Sequence, residues 1–301
     1  MRHAYLIMAH DDFYLLKRLI KVIDNPDADI YIHLDANRKY NIDNLENISK
    51  YSHTYITSRI KINWGGQSII ACELFLMEQA AKKNYGFYHL LSGHDFLLRS
   101  VQEIQQFFEK NEGKEFLSVD VNPYNKKVIY NRLDQYHLIF NNRIITNHIN
   151  EILSPIQQFF HIHRMDSSFF DVFAKGMNWA SMTNNFVHRL LRDRGDIMQW
   201  TQHSLCADEV YKQIEFKRYS NEFSLYRSIP KEASRARCFL ESKATMHLVD
   251  WIRGNPYTFD IDDLSYLLLS ECMFARKFDS RVDKKIIDSL FKLDTGSDFI
   301  M

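Results

Sequence analysis

Three groups of residues in this sequence have types and spacing that could do chemistry. The first is Ala207-Asp208-Glu209, which precedes a helical stretch. Adjacent side chains point in different directions, so this pair cannot flank one glycosidic bond as the two carboxylates of a hydrolase must. One acid can serve as a base while the other caps the helix; taken alone, the triplet reads first as a helix start. The second group is Leu90-Leu91-Ser92-Gly93-His94-Asp95, directly after a strand signal. Sites that hold Mg²⁺ or Mn²⁺ between nucleotide phosphates place two carboxylates near such a point. Here Asp95 is the single acid, beside His94, and Asp27-Ala28-Asp29 lies before a strand, where it faces away. A catalytic divalent ion is therefore not expected. The third group is a late basic set, Arg253, Arg276 and Lys277, which as isolated charges would be solvated surface.

Two further features belong with these. Asp35 closes a strand and should point from its carboxyl end toward a crevice, where a carboxylate accepts hydrogen bonds from a ribose or base; a cap or turn role fits it as well. Trp64-Gly65-Gly66-Gln67-Ser68 forms a tight turn opening a helix, whose glycines permit close backbone approach and whose N-terminus favours an anion. By itself it reads first as a structural turn.

The elements that must position these residues alternate strand and helix. His3–Ala9, Asp29–Asp35, Phe87–Leu91 and Phe116–Val119 read as strands; Asp11–Asp24, Gly66–Lys83 and Val101–Lys110 read as helices. Such alternation implies an α/β fold with a mostly parallel central sheet and helices on both faces, with ligands at the carboxyl ends of the strands. Residues 121 to about 165 are polar and aromatic with a basic flavour (Lys126, Lys127, Arg132, Arg143), and read as an insertion or acceptor-side segment. Helical signals resume at Asn184–Arg192, Cys206–Ile214 and Thr258–Ser270, with a final amphipathic helix carrying Val282, Ile286, Leu290 and Phe291.

Composition narrows the classes. The 301 residues are 46% hydrophobic and 25% charged with zero formal net charge, which argues against a large electrostatic nucleic-acid footprint. The 22 Phe and 16 Tyr are first of all core material. No apolar stretch approaches the roughly 18 residues needed to cross a bilayer, and the run Ala4–Ala9 is too short for an export signal. Cys72, Cys206, Cys238 and Cys272 form no C-x-x-C pair and read as free thiols, fitting a reducing cytoplasm.

In order along the chain, HAYLIMAH, IYIHLDA, INWGGQSII, YHLLSGHDFLLRS, KGMNWASMT, ADEVY and FARKFD resemble the core-2/I-branching N-acetylglucosaminyltransferase family, glycosyltransferase family 14, which also holds the peptide O-xylosyltransferases. The resemblance runs nearly the whole chain and is weakest over 121–170 and 215–245. It implies a GT-A fold across residues 1–301, with a nucleotide-binding half (1–120) and an acceptor-side and catalytic half (121–301). It implies inversion at the anomeric carbon, a UDP-sugar donor with GlcNAc as the first candidate, and no divalent metal. By the same resemblance Glu209 is the catalytic base. Lys277 neutralises the leaving diphosphate, with Arg253 as the companion cation because counting back from Lys277 without gaps lands on Gly254. His10, Asp35, Trp64, Gly65, Gln67 and Asp95 are then expected in the donor pocket, and Trp179 and Asp208 on the acceptor side. The partners implied are a UDP-sugar and a glycan acceptor, with no nucleic acid. The expected setting is the cytoplasm, at or near the inner face of the membrane, in surface polysaccharide synthesis. A non-catalytic nucleotide-sugar or glycan-binding protein on the same fold is the alternative.

Overall fold

The computed structural model describes residues 1–40, 42, 45, 47–120, 130–230 and 237–295. Lys126 and Lys127 lie outside the described residues. In the first half the order is β1 (His3–Ala9), α1 (Phe13–Ile23), β2 (Ala28–Leu34), β3 (Thr54–Thr57), α2 (Gln67–Ala80), β4 (Phe87–Ser92), β5 (Asp95–Leu97), α3 (Val101–Glu109) and β6 (Lys114–Glu115). Then come α4 (Arg143–Phe159), β7 (Ser181–Thr183), α5 (Asn184–Arg192), α6 (Arg194–Thr201), α7 (Tyr211–Arg218) and β8 (Ser224–Leu225). The chain closes with α8 (Arg237–Thr245), β9 (His247–Val249), α9 (Leu264–Leu269), β10 (Phe274–Arg276) and α10 (Lys284–Thr295).

The main sheet runs β3-β2-β1-β4-β7, parallel except for the last pairing. β1 explains why it is covered on both sides. Tyr5, Ile7 and Ala9 enter one core with side chains of α1, α3 and α10, while Ala4 and Leu6 enter another with α2, α5 and α7. A strand apolar at every position from Ala4 to Ala9 has no solvent face to offer, which is the pattern of a parallel sheet between helical layers. This is the α/β arrangement expected for a GT-A fold. A second sheet, β5-β10-β9, carries Asp95 and Arg276 opposite each other in register.

The structure revises several element assignments. Phe116–Val119 is no ladder strand: Phe116 and Asp120 make single bridges to Ser181 and Lys175, and the edge next to β4 is the antiparallel β7. Strands β3, β9 and β10 are too short to register in the hydrophobic pattern. The Cys206–Ile214 signal divides at Val210 into a 3-10 turn and α7, and Thr258–Ser270 divides into a 3-10 turn (Ile261–Asp263) and α9. Val282 precedes the last helix and is exposed, whereas Ile286, Ile287, Leu290 and Phe291 are buried.

Helix α4 is inverted relative to an ordinary surface helix. Its buried residues are polar: Thr146, Asn150 and Gln157 hydrogen-bond the backbone of Phe140, Leu138 and Tyr136. Its exposed residues include Ile144, Ile145, Ile152, Ile156 and Phe159. The 136–140 backbone needs donors and acceptors, and the polar stripe supplies them at Tyr136, Leu138 and Phe140.

Candidate active site

Glu209 ends the 3-10 turn Ala207–Glu209, which follows Cys206 in the left-handed region at φ 51°. Gly65 fixes the placement of that turn. Its φ is +71°, and a Cβ there would stand 3.1 Å from both Cys206 Sγ and Leu205 Cδ1. The Cys206 N–H donates to the Gly65 carbonyl at 2.7 Å. The glycine turn and the acidic turn, far apart in sequence, are thus bonded to each other.

Two cations hold the Glu209 carboxylate. Arg132 Nη1 lies 2.7 Å and Lys175 Nζ 3.1 Å from Oε2. The Gly176 N–H donates to the Glu209 carbonyl at 2.9 Å. Burial works to raise the Glu209 pKa, but Lys175 and Arg132 together overcome it and hold the group below its ordinary value. Asp208 next door goes the other way. Burial, reinforced by Glu209 and Glu73, pushes it up to about 7. Environments that drive neighbouring carboxyls apart separate their roles: Glu209 is a standing anion, Asp208 a group that titrates near neutrality. Beneath them lies a buried network, with Lys212 Nζ 2.8 Å from Glu73 Oε2 and 2.6 Å from Asn178 Oδ1. Asn178 precedes Trp179, so the network ties the acidic turn to the aromatic residue.

A second cluster gathers where β4 meets β5. Asp95 is fully buried and accepts from Ser92 N at 2.7 Å and Ser92 Oγ at 2.6 Å. Arg276 Nη1 donates to Ser92 Oγ at 2.8 Å, and its guanidinium lies 4.5 Å from the centre of the Trp179 ring. Burial draws the Arg276 pKa down against the opposing pull of Asp95. Asp95 therefore stands behind Arg276 and Trp179, its oxygens turned to Ser92 and the guanidinium.

Lys277 follows directly, half-buried, with its backbone N–H bonded to the Tyr257 carbonyl. Among the described residues no carboxylate pairs with its ammonium. Arg253 differs: its guanidinium is 2.6 Å from Asp250 Oδ2 and 2.6 Å from Asp263 Oδ1, and 4.0 Å from the centre of the Tyr257 ring. Two carboxylates have already neutralised it.

The remaining expected residues sit around the strand ends in different capacities. Asp35 Oδ1 accepts from Asn37 N at 3.0 Å and Ile62 N at 2.9 Å, tying the end of β2 to the approach to Trp64. Trp64 is exposed, with the Arg143 guanidinium 3.8 Å from its ring centre. Gln67 turns away to brace α6 through Thr201 Oγ1 at 2.8 Å and the Met198 carbonyl. His10 is half exposed at the end of β1, its ring 5.3 Å from that of His94. The structure brings Glu209, Asp208 and Gly65 together, and Asp95 and Trp179 through Arg276, with Lys277 next in the chain. Sequence reasoning assigned no role to Arg132 or Lys175. Lys175 opens the KGMNWASMT motif, the one signal for it; Arg132 lies in the weakly aligned segment and gave none.

The model of the Core-2/I-branching enzyme family matches residues 3–271. The chain belongs to this family. Among individual relatives, Xylosyltransferase 2 of Rattus norvegicus is 23% identical over 305 residues, covering 96% of this chain and 33% of that protein. Xylosyltransferase oxt of Drosophila melanogaster is 22% identical over 288 residues, covering 90% of this chain and 31% of that protein. The chain thus spans about a third of the length of the curated relatives it matches. Of solved structures, the apo-form glycosyltransferase GlyE of Streptococcus pneumoniae TIGR4 aligns with a TM-score of 0.37 at 9% identity, over 76% of this chain and 45% of that chain. S. aureus TarS 1-349 aligns with a TM-score of 0.38 at 10% identity, over 100% of this chain and 67% of that chain. Among the described residues no helix is long and apolar enough to cross a membrane.

Proposed function

We propose that this chain is an inverting glycosyltransferase that moves a sugar from UDP to a hydroxyl of an acceptor glycan, with Glu209 as the base. The observation that carries this reading is the Glu209 carboxylate, kept ionised by Arg132 and Lys175 on Oε2. In the proposed step, Oε1 takes the acceptor proton as the hydroxyl attacks the anomeric carbon opposite the UDP leaving group. General-base help of this kind contributes about 10²- to 10⁴-fold.

The departing diphosphate gains charge, and Lys277, with no carboxylate partner among the described residues, is the cation proposed to meet it. No divalent ion is required in this account. Fixed cations in a water-poor site stabilise developing charge without reorganising. GlcNAc is the first candidate for the transferred sugar, with xylose, glucose and galactose behind it. A screen of UDP release from the four UDP-sugars, with and without EDTA, tests donor and metal together. Release that disappears with EDTA would contradict the metal-free step.

We further propose peripheral contact with a membrane, consistent with work on surface polysaccharides. Its support is the outward apolar stripe of α4, flanked by the exposed Trp64 and the basic Arg143. A stripe of Ile and Phe beside an interfacial Trp is what a helix lying in the headgroup region presents.

A further inference from the structure

Among the described residues one cluster of metal-ligating side chains lies beside Asp95 and is not used in the transfer step proposed above; His10, expected in the donor pocket, is one of its members. His10 and Asp11 follow β1, and His94 lies in the turn between β4 and β5. The approach is close because residue 93 is glycine: a Cβ there would stand 2.7 Å from the Ala9 Cβ, and its N–H donates to the Met8 carbonyl at 2.8 Å. His94 is thereby carried onto the end of β1. Its Nε2 is 2.8 Å from Asp11 Oδ1, and His10 Nε2 is 3.3 Å from the same oxygen. One ligand atom from each residue falls within 4.8 Å of the others. Neighbouring ligands about 2.1 Å from one ion are about 3.0–3.4 Å apart at octahedral or tetrahedral angles, and the 2.8 Å and 3.3 Å approaches of the two imidazoles to Asp11 Oδ1 lie close to that range.

Protonation makes the cluster more than a coincidence of types. His94 Nδ1 is 2.8 Å from the Phe278 carbonyl, which can only accept, so Nδ1 carries a proton. In the neutral ring Nε2 is then a lone pair aimed at a carboxylate oxygen. Two acceptors at 2.8 Å repel unless a cation, either a proton or a metal ion, lies between them. The outer contacts have the form found behind metal ligands, where a backbone carbonyl orients the imidazole and a hydrogen bond orients the carboxylate. Arg281 supplies the second, 3.1 Å from Asp11 Oδ2, which leaves Oδ1 for the histidines.

We propose that His10, Asp11 and His94 form a binding site for one divalent transition-metal ion of the zinc type. Two imidazoles and one carboxylate favour such ions over Mg²⁺, which takes oxygen ligands in a near-ideal octahedron. The half-exposed ring of His10 leaves the site open for further ligands from the crevice. The ion is additional to the transfer chemistry proposed above, in which Lys277 meets the diphosphate.

Cobalt titration of the EDTA-treated, desalted protein, followed by visible absorption, tests the proposal, with zinc calorimetry alongside. The expected result is one Co²⁺ per chain with ligand-field bands, displaced by Zn²⁺ and unaffected by excess Mg²⁺. His10→Ala, at a half-exposed position that leaves the packing intact, should weaken binding about 10–100-fold, the order seen when a metal site loses support. Asp11→Asn should weaken it at least as much. Absence of bands in the wild-type protein would overturn the proposal and leave a proton as the shared cation. Binding undiminished in both variants would overturn it too, placing the ion elsewhere. Neither result touches the transfer reading, which UDP release in EDTA tests independently.

Discussion

Arg132 Nη1 meets Glu209 Oε2 at 2.7 Å across 77 residues of sequence. That contact, with Lys175 on the same oxygen, sets the charge of the proposed base. Burial alone would favour the protonated acid; the cations reverse the balance and depress the pKa. A low pKa weakens the base but guarantees that it is ionised whenever substrate arrives. The first prediction follows from the sign. Arg132→Ala or Lys175→Ala removes a lowering influence, so the Glu209 pKa rises and the acid limb of the kcat/KM profile moves to higher pH. A pH profile of UDP release measures this; an acid limb unmoved in both variants would mean that the cations do not govern the base.

Asp208 gives a stability prediction of opposite sign. Its folded pKa is raised to about 7, above the ordinary Asp value, so the folded state holds a proton that the unfolded chain gives up earlier. Stability from this group is present below the unfolded pKa near 4 and declines as pH rises toward 7. Asp208→Asn cannot ionise and escapes that decline. Urea unfolding should show the variant gaining on the wild type between pH 5 and pH 8.5, whereas an equal difference at both pH values would remove the buried-acid explanation.

The two late cations are predicted to behave differently. Lys277→Ala should weaken UDP binding about 10–100-fold, as expected for loss of one charged contact of 1.5–3 kcal/mol. Arg253→Ala should change UDP affinity less than about threefold, because Asp250 and Asp263 already neutralise the guanidinium. Its effect belongs to the 250–263 segment, whose melting should shift instead. UDP calorimetry on both variants decides, and equal losses would show that Arg253 reaches the phosphates.

Gly65→Ala places a methyl group against Leu205 and Cys206 at a left-handed φ. The cost should be about 1–2 kcal/mol of stability. Because the displaced neighbour is the turn that carries Glu209, kcat should fall more than UDP affinity. A variant with lowered stability but unchanged kcat would limit Gly65 to a structural part.

The parts of this molecule legible in its sequence are those with a long period or a local cause. β1, β2, β4, α1, α2 and α5 announce themselves through runs of apolar residues, and their ends fell within a few positions of the expected ones. Glu209, Lys277 and Asp95 stand out in the sequence because each lies in a short motif that resembles the family. What could not be read was tertiary. The three-residue β7, β9 and β10 are specified by their neighbours, not by their own period. Arg132 reaches Glu209 from the weakly aligned segment, and nothing in its sequence surroundings marks that pairing. Nor could residue type alone reveal that Asp95 is turned to Ser92 and Arg276, or that α4 buries its amides and exposes its isoleucines.

The central claim is most directly tested by comparing UDP release and UDP binding for the wild type and Glu209→Gln, with the responsive UDP-sugar, in EDTA. The account predicts turnover by the wild type in EDTA. It predicts UDP affinity within about threefold of wild type for the variant, with turnover reduced at least about 10²-fold. Turnover retained by Glu209→Gln would contradict the assignment of the base.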